Sequence, residues 1–103
     1  MLNNVNDKLF TDQAKKRLEN DKELSSRVDK VIQNILNIKD DIFEIKRIDV
    51  SNDPDDPEWR PIEIHLNIKI EDFHKRLDKK HEIVKKAFEN ILDRRDIFIL
   101  GAI

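Results

Sequence analysis

Residues 62–70 alternate without a fault, and this run limits the possible folds more than any other feature of the chain. Ile62, Ile64, Leu66, Ile68 and Ile70 share one parity; Glu63, His65, Asn67 and Lys69 share the other. Side chains on a strand point to opposite faces with a period of two. The segment is therefore expected as a β-strand with one buried and one wet face. A single strand is not stable by itself, so the rest of the chain must supply partner strands and a cover for the apolar side.

Its neighbours fit that need. Residues 42–50, Ile-Phe-Glu-Ile-Lys-Arg-Ile-Asp-Val, are short and rich in branched side chains. Phe43 and Ile45 have one parity, Ile48 and Val50 the other, which predicts a strand with a bulge near Lys46–Arg47. Residues 51–61 hold three prolines and four acids, the mark of a loop. Residues 97–101, Ile-Phe-Ile-Leu-Gly, read as a short buried strand.

Three stretches have helical periodicity. Over residues 5–22, Val5, Leu9, Ala14 and Leu18 form a loose stripe, with an alternative start at Thr11, where Thr-Asp can cap a helix. Over 24–38, the apolar positions Leu24, Val28, Val31, Ile32, Ile35 and Ile38 oppose Arg27, Asp29, Lys30, Gln33 and Asn34. Ser25 and Ser26 are candidate caps. No glycine or proline separates these two stretches, so a hairpin of two helices and one rod over 11–38 both fit. The third helix spans about 72–93, starting near Glu71 or Asp72, with Phe73, Leu77, Val84, Phe88 and Ile91 in one sector. The expected architecture is a single α+β domain of order α-α-β-β-α-β. A helical region, 1–40, precedes a ββαβ unit, 41–103. The first two strands pair antiparallel, a right-handed crossover leads to the third, and the helices lie on one face of the sheet.

Composition removes several chemistries. The chain of 103 residues has one glycine, Gly101, and no cysteine. Glycine-rich phosphate loops and nucleophile elbows are thereby excluded, as are disulfides, thiolate nucleophiles and cysteine-ligated metals. The hydroxyl nucleophiles are few: Thr11, Ser25, Ser26 and Ser51. Twenty bases nearly balance 22 acids, leaving a formal charge of −2. Fifteen isoleucines in periodic positions argue against disorder. No apolar run nears the roughly 18 residues of a membrane span, and Met1–Phe10 does not resemble a signal peptide. A cytoplasmic protein with no cofactor is expected.

A few constellations are worth weighing for function. His74, Asp78 and His81 stand at i, i+4, i+7, a spacing that projects metal-competent groups from one helix edge; half-buried residues beside the apolar stripe explain the same pattern. The acids of Asp53–Glu58 suit calcium by type. Counted from Asp53, however, Glu58 stands where an EF-hand needs glycine and Ile64 where it needs glutamate. Trp59, the only tryptophan, is either a binding anchor or a plug at the end of the core, and the plug is the reading favoured. Lys75, Lys79 and Lys86, flanked by Lys80 and Lys85 and extended by Arg94 and Arg95, form a basic face suited to phosphates. Glu82 and Glu89 interrupt it, which favours a salt-bridged surface. His65 is the best-placed acid–base group for catalysis, though an alternating strand puts a polar residue there in any case.

These features lead to the expectation of a non-enzymatic interaction or assembly module. It is expected to form a homodimer and to bind another protein through Trp59, Ile35, Ile38, Ile99 and Ile103. The argument for self-association is the exposed edge of a narrow sheet, together with an apolar stripe that would overhang it if residues 11–38 formed one rod. A nucleic-acid-binding domain and a small metal-dependent hydrolase are the alternatives.

Overall fold

The structure is a computed structural model, and it describes residues 7–52 and 54–101. A short 3-10 turn, Asp7–Leu9, precedes α1 (Asp12–Glu19) and α2 (Lys22–Asn37). Then follow β1 (Phe43–Val50), β2 (Ile62–Ile68), α3 (Phe73–Ala87) and β3 (Ile97–Leu100). The three strands form one mixed sheet in the order β1-β2-β3. β1 and β2 pair antiparallel, while β2 and β3 pair parallel. The α+β order α-α-β-β-α-β is the one expected, with the helices on one side of the sheet.

Each helix starts at a side-chain cap. Thr11 Oγ1 accepts from the Ala14 N–H, Asp21 from Leu24 and Asp72 from Lys75. Such a cap satisfies one of the donors that a helix start leaves without an internal partner. Asp21 decides between hairpin and rod. The chain leaves helical geometry at Asp21, φ −141° and ψ 92°, and α2 begins afresh behind the new cap. Ser25 and Ser26 therefore lie inside α2 instead of capping it. Val5 lies outside the described residues, and α1 starts at the Thr11 alternative.

The apolar parities of the three strands all turn to the helices. Ile62, Ile64, Leu66 and Ile68 are buried, as are Phe43, Ile45, Ile48 and Val50. The phase change in β1 is absorbed where expected: Ile45 pairs with Leu66 and Arg47 with His65, so Lys46 bulges out between them. α2 contributes Leu24, Val28, Val31, Ile32 and Ile35, all fully buried. These belong to one apolar cluster that also includes residues of α1, α3 and every strand. The helical segment and the ββαβ unit thus share a single core.

Three segments depart from the sequence reading. α3 stops at Ala87, not near 93, because Phe88 caps it and Asn90 takes a left-handed conformation, φ 65°. Its buried positions are Ile83 and Ala87, while Phe73 is 49% exposed. Of the expected sector, Phe88 and Ile91 join the core and Val84 packs against it, whereas Phe73 does not, and the stems of Arg76, Lys79 and Lys80 are half-buried beside the buried positions. β2 ends at Ile68 rather than Ile70, although Ile70 still packs against the core. β3 is buried on one side only: Ile97 and Ile99 point inward and Phe98 is 43% exposed.

Gly101 is needed where it stands. Its φ is +145°, and a Cβ built there would lie 2.5 Å from the Leu66 carbonyl oxygen. Gly101→Ala should therefore destabilise the fold by about 1–3 kcal/mol. Ile64→Ala, in the middle of the core, should cost about 2–5 kcal/mol, and Asn67→Ala on the opposite face less than about 0.5 kcal/mol. Urea unfolding of the three variants checks this ranking.

Candidate functional site

The two edges of the sheet are treated differently. Along β1, the segment leading into α1 lies against the outer edge. Phe10 forms a parallel bridge to Ile48, the Thr11 N–H donates to the Ile48 carbonyl at 3.0 Å, and Thr11 Oγ1 donates to Asp49 Oδ1 at 2.9 Å. Along β3, no strand or bridge occupies the outer edge among the described residues. The Ile62 N–H donates to the Asp96 carbonyl at 2.7 Å, which sets the phase of the ladder. Successive residues of a strand turn their N–H and C=O groups to opposite edges. Phe98 therefore faces β2, and the backbone groups of Ile97 and Ile99 face outward.

That open edge forms one side of a groove whose other side is α3. The groove is open, measures about 520 Å³ and has an apolar lining, with Val84 from α3, Phe88 at its C-terminal cap, and Ile97, Phe98 and Ile99 from β3. Its rim is cationic: Lys80, Lys85 and Arg94, with His81 beside them. No carboxylate lines it. Among the described residues, none of these three cations has an ion-pair partner, and Arg94 lies over the Phe88 ring at 5.1 Å. Elsewhere on α3, Lys79 and Lys86 are paired, while Lys75 has no ion pair among the described residues. Lys79 Nζ is 3.2 Å from Asp40 and 3.6 Å from Glu82, and Lys86 is 3.9 Å from Glu89. The basic face expected from Lys75, Lys79 and Lys86 is thus neutralised from within at Lys79 and Lys86 but not at Lys75.

On the helix-free face, beside the same strand, Trp59 stacks edge-on against Phe98 with ring centroids 5.9 Å apart. Trp59 Nε1 donates to Asp96 Oδ1 at 3.2 Å, and the ring remains 42% exposed. The expected plug of the core is corrected accordingly: Trp59 sits outside, on the wet face. The loop is held by the Ser51 N–H to the Pro61 carbonyl, 2.9 Å, and by Arg17 Nε to the Arg60 carbonyl, 3.1 Å. His65, in the middle of this face, pairs with Glu63 at 3.3 Å.

The position of β3 is set from α2. Arg27 donates to the carbonyls of Arg95, 2.8 Å, and Asp93, 3.4 Å, gripping the turn that precedes the strand. Asn34 Nδ2 donates to the carbonyls of Ala87 and Glu89, fixing the end of α3. Within the turn, Asp93 accepts from the Arg95 guanidinium at 2.9 and 3.1 Å and from the Arg95 N–H at 3.0 Å. These bonds, with the Arg27 charge behind them, hold the Asp93 carboxyl well below the usual carboxylate range and push Arg95 up. Asp96 follows in a left-handed conformation, φ 65°, and the chain enters β3.

The expected site residues are scattered by the fold. His74, Asp78 and His81 are all exposed, and among the described residues no group of three or more histidines and acids could hold a metal ion. Ile35 is fully buried beneath the sheet and is a core residue, not a contact residue; Ile38 is partly buried against the same core. Ile99 stands at the open edge, and Ile103 lies outside the described residues. Among those residues no serine is hydrogen-bonded to a histidine. The groove cations Lys80 and Lys85 were visible in sequence only as flanks of a different face. Their convergence with Arg94 depends on the parallel return of β3.

Comparison with protein-family models, curated proteins and solved structures finds no match. No helix among the described residues is long and apolar enough to cross a membrane.

The Asp93 turn has a pH signature. A carboxyl whose folded pKa is depressed contributes stability that is complete above its unfolded value, about 3.9. That contribution is lost as pH falls through the folded value. Between about pH 4 and pH 2 the urea midpoint should drop, and Asp93→Asn should drop less over the same interval because its turn no longer titrates. Equal slopes for the two proteins would show that the turn does not contribute.

Proposed function

We propose that this chain is a non-enzymatic protein-interaction module that binds by adding a strand to the free edge of β3. One observation supports this reading above the others. The β1 edge is bridged at Ile48 by Phe10 and Thr11, whereas β3 turns the backbone groups of Ile97 and Ile99 away from any strand among the described residues. An unpaired edge is a template for another chain, and strand addition is a recurring mode of peptide capture. The exposed Trp59–Phe98 pair lies beside that edge and offers aromatic anchors of the kind enriched at binding hot spots.

Self-association through the same edge is the competing reading, in a changed form. The overhanging rod that argued for a homodimer is replaced by two short helices, and the α2 stripe is spent on the chain's own core. A second copy would then have to pair through β3. The nucleic-acid alternative has less support, since Lys79 and Lys86 carry their own counter-charges.

Amide exchange followed by NMR on the monomer tests the open edge. The Ile97 and Ile99 amides should exchange quickly, while those of Phe98 and Leu100, bonded to β2, should be protected. Equal protection at all four would mean that the edge is already closed. Phe98→Lys, a charge placed beside the edge, should abolish any concentration-dependent sedimentation while leaving the melting temperature nearly unchanged. Association that survives it would locate the interface elsewhere.

A further inference from the structure

We infer that the occupant of the β3 edge is an extended segment of another protein in which acidic and apolar residues alternate. The inference rests on the strand-addition reading above and supplies the chemistry of the partner. A strand laid against β3 turns alternate side chains to the two faces of the sheet. On the helix side these side chains enter the groove beneath Lys80, Lys85 and Arg94, three cations without an ion-pair partner among the described residues and no carboxylate beside them. On the other side they meet Phe98 and Trp59, exposed at 43% and 42%. One parity therefore calls for carboxylates on stems long enough to cross the apolar floor, and the other for apolar or aromatic groups.

Charge also discriminates between occupants. A second copy of this chain would bring Ile97-Phe98-Ile99-Leu100, with no acid in it, and would set its own three groove cations near the first set. Like charges at an interface oppose that pairing. A nucleic acid satisfies the cations but offers no row of peptide donors and acceptors to the Ile97 and Ile99 backbone.

The test is selection from a displayed library of random twelve-residue peptides on the purified chain, followed by binding measurements on the enriched peptides. The expected winners alternate acidic and apolar residues and bind less tightly as salt rises. Lys85→Glu/Arg94→Glu, at two exposed sites, should weaken them about tenfold or more. The control Lys15→Glu/Lys46→Glu, on α1 and β1, makes the same change of net charge away from the groove and should have little effect. A thermal melt confirms that both variants fold, and Lys85→Ala, expected to weaken binding in the same direction, serves if the charge reversal does not. Winners without an acidic bias, still lost on Phe98→Lys, would overturn this inference and leave the strand-addition reading standing. A selection that enriches nothing would overturn both. Binding of a single-stranded DNA dodecamer more tightly than any winner, or a stable dimer through β3, would also overturn the inference.

Discussion

The burial of one side of α2 is the constraint on which everything else in this fold depends. Leu24, Val28, Val31, Ile32 and Ile35 are each fully buried, and such side chains contribute about 1.5–3 kcal/mol apiece. Against a typical net stability of about 5–15 kcal/mol, two of them are enough to decide whether the chain folds. The same helix also positions the site. Arg27 and Asn34 stand at the polar margins of the stripe and donate to carbonyls in the turn before β3 and at the end of α3. Apolar burial fixes where α2 lies, and its polar margins then determine where the open strand and the wall of its groove must be.

A sheet of three strands covered on one side leaves two edges and one face to be managed. The chain bridges the β1 edge at Ile48 with the residues that lead into α1. Among the described residues no equivalent bridges β3, because the crossover from β2 carries α3 back over the covered side instead of past the edge. The outer face is kept mostly polar by Glu44, Arg47, Glu63, His65 and Asn67. Apolar character on that side is concentrated at Trp59 and Phe98, beside the strand that lacks a neighbour.

What was legible in the sequence follows from how local each signal is. The alternation of β2 and the phase change at Lys46 are set by the strand's own period, and both were found. The helix break at Asp21 was left open between hairpin and rod, because it uses no glycine or proline. It relies on one aspartate among many charged residues, recognisable as a cap only once its bond to the Leu24 N–H is known. The face of α3 was recognised only in part, at Val84, Phe88 and Ile91, for a related reason. Lysine and arginine stems occupy half-buried positions at 76, 79 and 80, whereas Phe73 sits at the exposed start of the helix. The groove is further from reach, since its cations come from two elements joined only by the tertiary path of the chain.

That path also explains why the near-neutral composition says little about binding. Charge interactions are screened within about 8–10 Å at ordinary ionic strength, so a partner feels the arrangement of charges near it and not their sum. In this chain the local arrangement differs from place to place. Lys79 lies between Asp40 and Glu82, Arg17 against Asp21, and Arg95 against Asp93. Lys80, Lys85 and Arg94 gather around a floor of isoleucine, valine and phenylalanine where no acid of the described residues reaches them. Pairs of the first kind contribute little net energy at a surface. Cations beside an apolar groove are different, because a bound strand would displace water from around them and strengthen their attraction to a carboxylate. The chain's excess of two negative charges is therefore compatible with a basic binding edge, and the pairing pattern predicts the partner's chemistry better than the net charge does.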